Sequence, residues 1–98
     1  MTINKTQNGN ALTIALEGRL DTVTSPELEK EVKDSLEAAE TLTLDFSKLE
    51  YISSAGLRVL LSAHKTMSKK GGMKITNVNE IVKEVFEVTG FADILTIE

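Results

Sequence analysis

The sequence predicts an α/β fold: one mixed sheet of four or five strands, opened by an N-terminal antiparallel hairpin, with about three to four helices. Three observations lead there. Short segments of alternating apolar residues recur along the 98 residues, apolar stripes at helical spacing lie between them, and an Asn-Gly pair separates the first two segments. Strands that alternate with helices pair in parallel through right-handed crossovers, so only the first pair is expected to run antiparallel. Residues 1–98 are expected to form a single domain.

The elements follow in order. Thr2–Thr6 and Ala11–Leu16 flank "QNGN", whose Asn8-Gly9 marks a tight turn between strands. In "TSPELEKEVKDSLEAAE", Ser25 is a candidate N-cap and Pro26 suits the first helical position. Leu28, Val32 and Leu36 fall four apart and predict an amphipathic helix. "TLTLDF" alternates Leu42, Leu44 and Phe46, as a strand does. A second helix starts at Ser53 or Ser54, sets Leu57, Leu60, Leu61, His64 and Met67 or Ser68 on one side, and ends at Gly71-Gly72. "MKIT" is a short strand, and Asn77 or Asn79 caps a third helix with Ile81, Val82, Val85 and Phe86 at helical spacing. Gly90 stops that helix, and "ILTIE" adds a short terminal strand.

Composition narrows the function. With 41% hydrophobic and 27% charged residues the chain is globular and soluble. No apolar run approaches the roughly 20 residues that span a bilayer, and the N-terminus lacks the layout of a secretory signal. These features, with zero cysteines, lead to the expectation of a cytoplasmic protein without membrane insertion. A net charge of −4 argues against nucleic-acid binding. Its distribution is uneven. Between Glu50 and Glu80 the only charged side chains are Arg58, Lys65, Lys69, Lys70 and Lys74, so that segment carries +5 and the remainder −9. The block is either a solvated helix face or a docking surface for an acidic partner.

Catalysis finds little support. One histidine and no cysteine exclude a Cys-His pair and a metal cluster, and no cofactor is expected. A Ser54-His64-aspartate triad lacks the G-x-S-x-G elbow. His64, on the apolar side of its helix, is expected to be packed with a hydrogen-bonding partner. No phosphate-cradling glycine motif occurs. The chain is therefore not expected to be an enzyme. The serine pair in "YISSAGLRVLLSAH" admits two readings. One hydroxyl caps the second helix, or one carries a phosphate, since unpaired N–H groups and the dipole at a helix start stabilise a dianion.

"LDFSKLEYISSAGLRVLL" resembles the central segment of the STAS domain, specifically of bacterial anti-sigma factor antagonists. "EGRLDTVTSPEL" resembles that family's turn after the second strand, and "KKGGMKITNVNEIVKEVFEVTGFADIL" its last strand and helix. The resemblance runs over nearly the whole chain. It implies a STAS-like fold and a protein that binds an anti-sigma factor, a serine kinase of the histidine-kinase ATPase fold, and so releases a sigma factor. Phosphorylation of the loop serine ends binding, and a protein phosphatase restores it. The family's acceptor serine falls on Ser54, with Ser53 the less favoured acceptor. Asp21 matches an acidic residue near it. The implied partner surface is Asp21, Thr22, Ser53, Ser54, Ala55, Gly56 and Arg58. Three positions depart from the best-known pattern: Ser53 replaces an aspartate, Ala55 a hydroxyl residue, and Arg58 a frequent glycine. The alternative is a STAS-like module without a phosphorylation cycle, docking on a transporter ATPase or another regulatory partner.

Overall fold

The computed structural model describes Met1–Glu98. Strands β1 (Thr2–Asn8), β2 (Ala11–Leu20), β3 (Thr41–Ile52) and β4 (Met73–Thr76) form one sheet in the order β1-β2-β3-β4. β1 and β2 are antiparallel, while β2–β3 and β3–β4 are parallel. Helices α1 (Ser25–Ser35) and α2 (Ser54–Met67) make the two crossovers, and α3 (Glu80–Thr89) follows β4. Short 3₁₀ turns at Leu36–Ala38 and Phe91–Asp93 extend α1 and follow α3. Crossovers of one hand between sequentially adjacent strands put their helices on one face. Burial agrees: Leu12, Ile14, Leu16 and Leu20 of β2 are buried, and the residues between them are half-buried or exposed.

The hairpin closes on Gly9 and Asn10. Gly9 has φ +63° while Asn10 keeps a negative φ, as a turn with glycine at its first central position requires. Of the four or five strands expected, the sheet has four, and the terminal segment does not add a fifth. Ile97 makes a single parallel bridge to Ile75, and the chain ends there. One capping expectation changes, and of the two caps offered for α3 one is taken. Thr24, not Ser25, occupies the N-cap of α1, and Ser25 is buried with its hydroxyl donating to the Asp21 carbonyl. Asn79 caps α3 by accepting from Val82 N–H at 2.8 Å, whereas Asn77 holds φ +58° and donates to Asp45. Gly90, at φ +82°, ends α3 as anticipated.

β3 is the longest strand and its apolar residues do not keep period two. Leu42, Leu44 and Phe46 are buried, then Leu49 and Ile52. The register with β2 slips between Ala15 and Glu17 and again between Gly18 and Arg19, each time with one extra residue in β3. Each bulge shifts the phase by one, which returns Leu49 and Ile52 to the core face. At the first bulge the Asp45 carboxylate accepts from Ser47 N–H and from Asn77, both at 3.0 Å. Without these bulges the end of β3 would aim its side chains at the wrong face.

The core side of α2 comprises Gly56, Leu57, Val59, Leu60, Ala63 and Met67. Leu61 and His64 are only half-buried, and His64 Nδ1 has no hydrogen-bond partner, contrary to expectation. At Gly56 the first turn of α2 packs directly on the side chains at the ends of β2 and β3. A Cβ there would stand 2.8 Å from Leu20 Cγ and 2.9 Å from Ile52 Cγ1, and both residues are fully buried. Gly56→Ala should therefore overpack this junction and lower stability by about 1–3 kcal/mol. Urea unfolding measures it, and an unchanged midpoint would show that the junction yields freely.

The carboxyl of Asp45 is held below the usual carboxylate range, chiefly by the hydrogen bond from Asn77 and then by Ser47 N–H. A depressed folded value contributes stability above the unfolded value near pH ~4, and the contribution is lost as pH falls through the folded one. Asp45→Asn keeps an acceptor for the bulge but removes the titration. Unfolding midpoints across an acid series should fall less steeply for Asp45→Asn than for the native chain. Parallel curves would mean that Asp45 contributes no pH dependence.

Candidate functional site at the ends of β2 and β3

Two parallel strands end side by side at the register pair Leu20 and Ile52. Ser53 N–H donates to the Leu20 carbonyl at 2.8 Å and ties the two exits together. Ligand sites in open α/β sheets lie beyond the carboxyl ends of the strands, which is this position.

From Leu20 the chain turns through Asp21–Thr24. The Asp21 carboxylate accepts from Val23 N–H at 3.0 Å and Thr24 N–H at 3.1 Å. Thr24 returns the support, with its hydroxyl accepting from Asp21 N–H and donating to the Arg19 carbonyl. The Thr24 N–H bond is the main reason the Asp21 carboxyl is held below its ordinary value. Asp21 thus builds the turn that presents Thr22 and Val23. Val23 is 83% exposed at its tip, the most exposed large aliphatic residue. The sequence reading missed it, although an aliphatic residue inside an Asp-x-x-Thr turn was a usable signal.

From Ile52 the chain passes through Ser53 into α2. Ser53 is the N-cap residue by backbone, with φ −101° and ψ 175°, yet its side chain makes no capping bond. Its Oγ is buried and unpartnered. The expected serine cap is therefore absent, because Ser53 turns inward. The N–H groups of Ser54, Ala55 and Gly56 precede the first helical bond, from Leu57 N–H to the Ser53 carbonyl at 3.0 Å. No acidic residue lies in this turn. Ser54 is exposed, Ala55 half-buried and Gly56 buried.

Arg58 is exposed and belongs to none of the four ion pairs. It sits one turn after Ser54 on α2. Arg58, Ala55 and Thr22 line one groove of about 330 Å³ between α1 and α2, with Glu29 on its α1 side. The structure gathers Thr22, Ala55 and Arg58 there, leaves Ser53 and Ser54 outside its lining, and uses Gly56 for packing against the strand ends. Arg19 and Tyr51, another register pair, stack at 4.5 Å beside the strand ends.

The basic block is smaller than its sequence suggested. Lys70 donates to the carbonyls of Leu36 at 2.6 Å and Ala39 at 3.0 Å, closing the end of the α1 extension. Lys74 pairs with Glu98 at 3.6 Å. Arg58 and Lys65 on α2, and Lys69 in the turn that follows it, remain exposed and unpaired.

A family model described as STAS domain matches residues 2–98. The chain is 29% identical over 92 residues to the anti-sigma-B factor antagonist of Bacillus subtilis, covering 93% of this chain and 84% of that one. It is 34% identical over 88 residues to BtrV of Bordetella bronchiseptica, provisionally named an anti-sigma factor antagonist, covering 88% and 76%. Among solved structures, the anti-sigma factor antagonist SpoIIAA in its unphosphorylated form has a TM-score of 0.84 at 18% identity, covering 99% and 88%. Bacillus SpoIIAA in its phosphorylated form has a TM-score of 0.76 at 17% identity, covering 99% and 91%. These two likenesses establish the shared fold. On a family match that runs nearly end to end, with the sheet order and helices just described, the chain belongs to the STAS domain family.

Proposed function

We propose that the chain is a cytoplasmic anti-sigma factor antagonist, acting by binding rather than catalysis, whose partner is an anti-sigma factor serine kinase. Relatives that carry the antagonist name support the reading. The observation that carries it is the contrast within the serine pair. Ser54 is exposed on an acid-free first turn whose N–H groups lack a side-chain cap, while the Ser53 hydroxyl is buried.

The chemistry follows from that geometry. The kinase transfers the γ-phosphoryl group of ATP to Ser54 Oγ, with ADP leaving and the hydroxyl proton passing to the kinase's base. A phosphatase returns the serine by hydrolysis, releasing inorganic phosphate. The phosphate brings roughly −1.5 to −2 charge, which the free N–H groups and Arg58 stabilise in the unbound protein. Against a desolvated partner the same dianion is unmatched and costs several kcal/mol, where each ~1.4 kcal/mol is tenfold in affinity. Binding is thus switched without refolding. SpoIIAA, a relative in fold, has been solved in both unphosphorylated and phosphorylated forms.

Incubation with the cognate kinase and ATP should place one phosphate on Ser54, located by mass mapping. Ser54→Ala should fold, bind and escape the switch. Ser54→Asp should fold, because a carboxylate is favourable at a helix start, and bind at least about tenfold more weakly. Phosphate on Ser53 alone would move the acceptor. No incorporation, with Ser54→Asp binding normally, would leave a constitutive module such as one docking on a transporter ATPase.

The exposed Arg58, Lys65 and Lys69 should steer an acidic partner toward this site. Arg58→Glu is expected to slow association and flatten its dependence on salt in stopped-flow measurements. Association rates that match the native chain at every ionic strength would reduce these cations to a solvated face.

A further inference from the structure

α3 has two apolar faces, and only one is covered. Val82 and Phe86 are fully buried on the sheet, with Phe86 and Phe46 ring centroids 6.5 Å apart. On the adjoining side lie Ile81 at 60% exposure, the half-buried Val85, and Val88 at 79% exposure. Their i, i+4, i+7 spacing aligns them along the helix. Together with Glu84 they border a shallow depression of about 290 Å³. Single exposed aliphatic residues are ordinary, but a contiguous row marks an interaction face.

The charges beside the row are of one sign. Glu80 and Glu84 are exposed and make no ion pair, while Lys83, the helix's only cation, lies on the opposite side with Glu87 one turn after it. This chemistry selects the occupant. An anionic membrane surface would be repelled by the glutamates. A second copy docking through the same face would set Glu84 against Glu84 of its mate. The α2 helix of a second copy offers exposed cations but no exposed aliphatic residue to fill the depression. We propose that α3 is a docking face for a cationic amphipathic helix of another protein. Its aliphatic residues pack among Ile81, Val85 and Val88, and its lysines or arginines pair with Glu80 and Glu84. The surface is opposite in charge to the exposed cations of α2, so it takes a different kind of partner.

The test uses a synthetic peptide of about 18 residues, long enough to hold a helix, with leucines along one side and lysines on the rest. A matched peptide carries glutamates in place of the lysines. Titrated into the isotope-labelled full chain, the lysine peptide should shift amide resonances along Glu80–Thr89 and leave Ser53–Ser62 unmoved, while the glutamate peptide shifts neither. Val88→Asp should weaken binding at least tenfold, and Glu84→Lys should weaken it and reduce its salt dependence, both with unchanged circular dichroism. Equal binding of the two peptides, shifts centred on α2, or native affinity in Val88→Asp would overturn the proposal. A dimer dissolved by Val88→Asp would overturn it in favour of self-association. Shifts produced by phosphatidylglycerol vesicles but not by the lysine peptide would overturn it in favour of a lipid surface.

Discussion

The close approach of α2 to the ends of β2 and β3 governs the geometry of this molecule. Gly56 has no side chain, so the first turn of α2 rests directly on Leu20 and Ile52. That contact requires Ile52 to face the core at the end of a twelve-residue strand whose register has slipped twice. The bulges supply the phase, and Asp45 supplies an acceptor for the N–H exposed at the first of them. With Ser53 N–H bonded to the Leu20 carbonyl, the two strand exits form one rigid platform. The exposed serine is therefore held by core packing rather than by a mobile loop, and a charge placed on it meets a fixed set of donors.

Much of the architecture was legible in the residues because local signals agreed with the fold. Leu28, Val32 and Leu36 became the buried stripe of α1, and Gly9 and Gly90 took the positive φ their turns need. The second half of β3 was not legible. Leu49 and Ile52 follow Phe46 at intervals of three, which breaks strand periodicity, and only the pairing with β2 reveals the bulges. The inner side of α2 was misjudged for a related reason. Small residues such as Gly56 and Ala63 carry little hydrophobic signal, although they allow the closest packing.

The site was legible in composition and spacing but not in the division of work among its residues. "ISSAG" marked a helix start with spare hydroxyls, and only the family resemblance favoured Ser54 over Ser53. Burial separates the two, since one hydroxyl turns inward and the other remains exposed. Asp21 proved to be a turn-builder, because its carboxylate is engaged by the N–H groups of Val23 and Thr24. The basic block likewise separated into structural and free members once Lys70 and Lys74 found partners on distant segments. Such pairings across more than twenty residues leave no trace in local pattern. What remains on α2 is an exposed serine in its first turn, followed by the exposed and unpaired Arg58 and Lys65.

Hydrogen exchange compared between the free protein and its Ser54-phosphorylated form tests most directly whether charge alone operates this platform. The platform account predicts changed protection only in the Asp21–Thr24 turn and the first turn of α2, with β2, β3 and the rest of α2 exchanging as before. Loss of protection along β3 or through the body of α2 would contradict it, because phosphorylation would then act by unfolding the packed junction rather than by adding charge to an intact one.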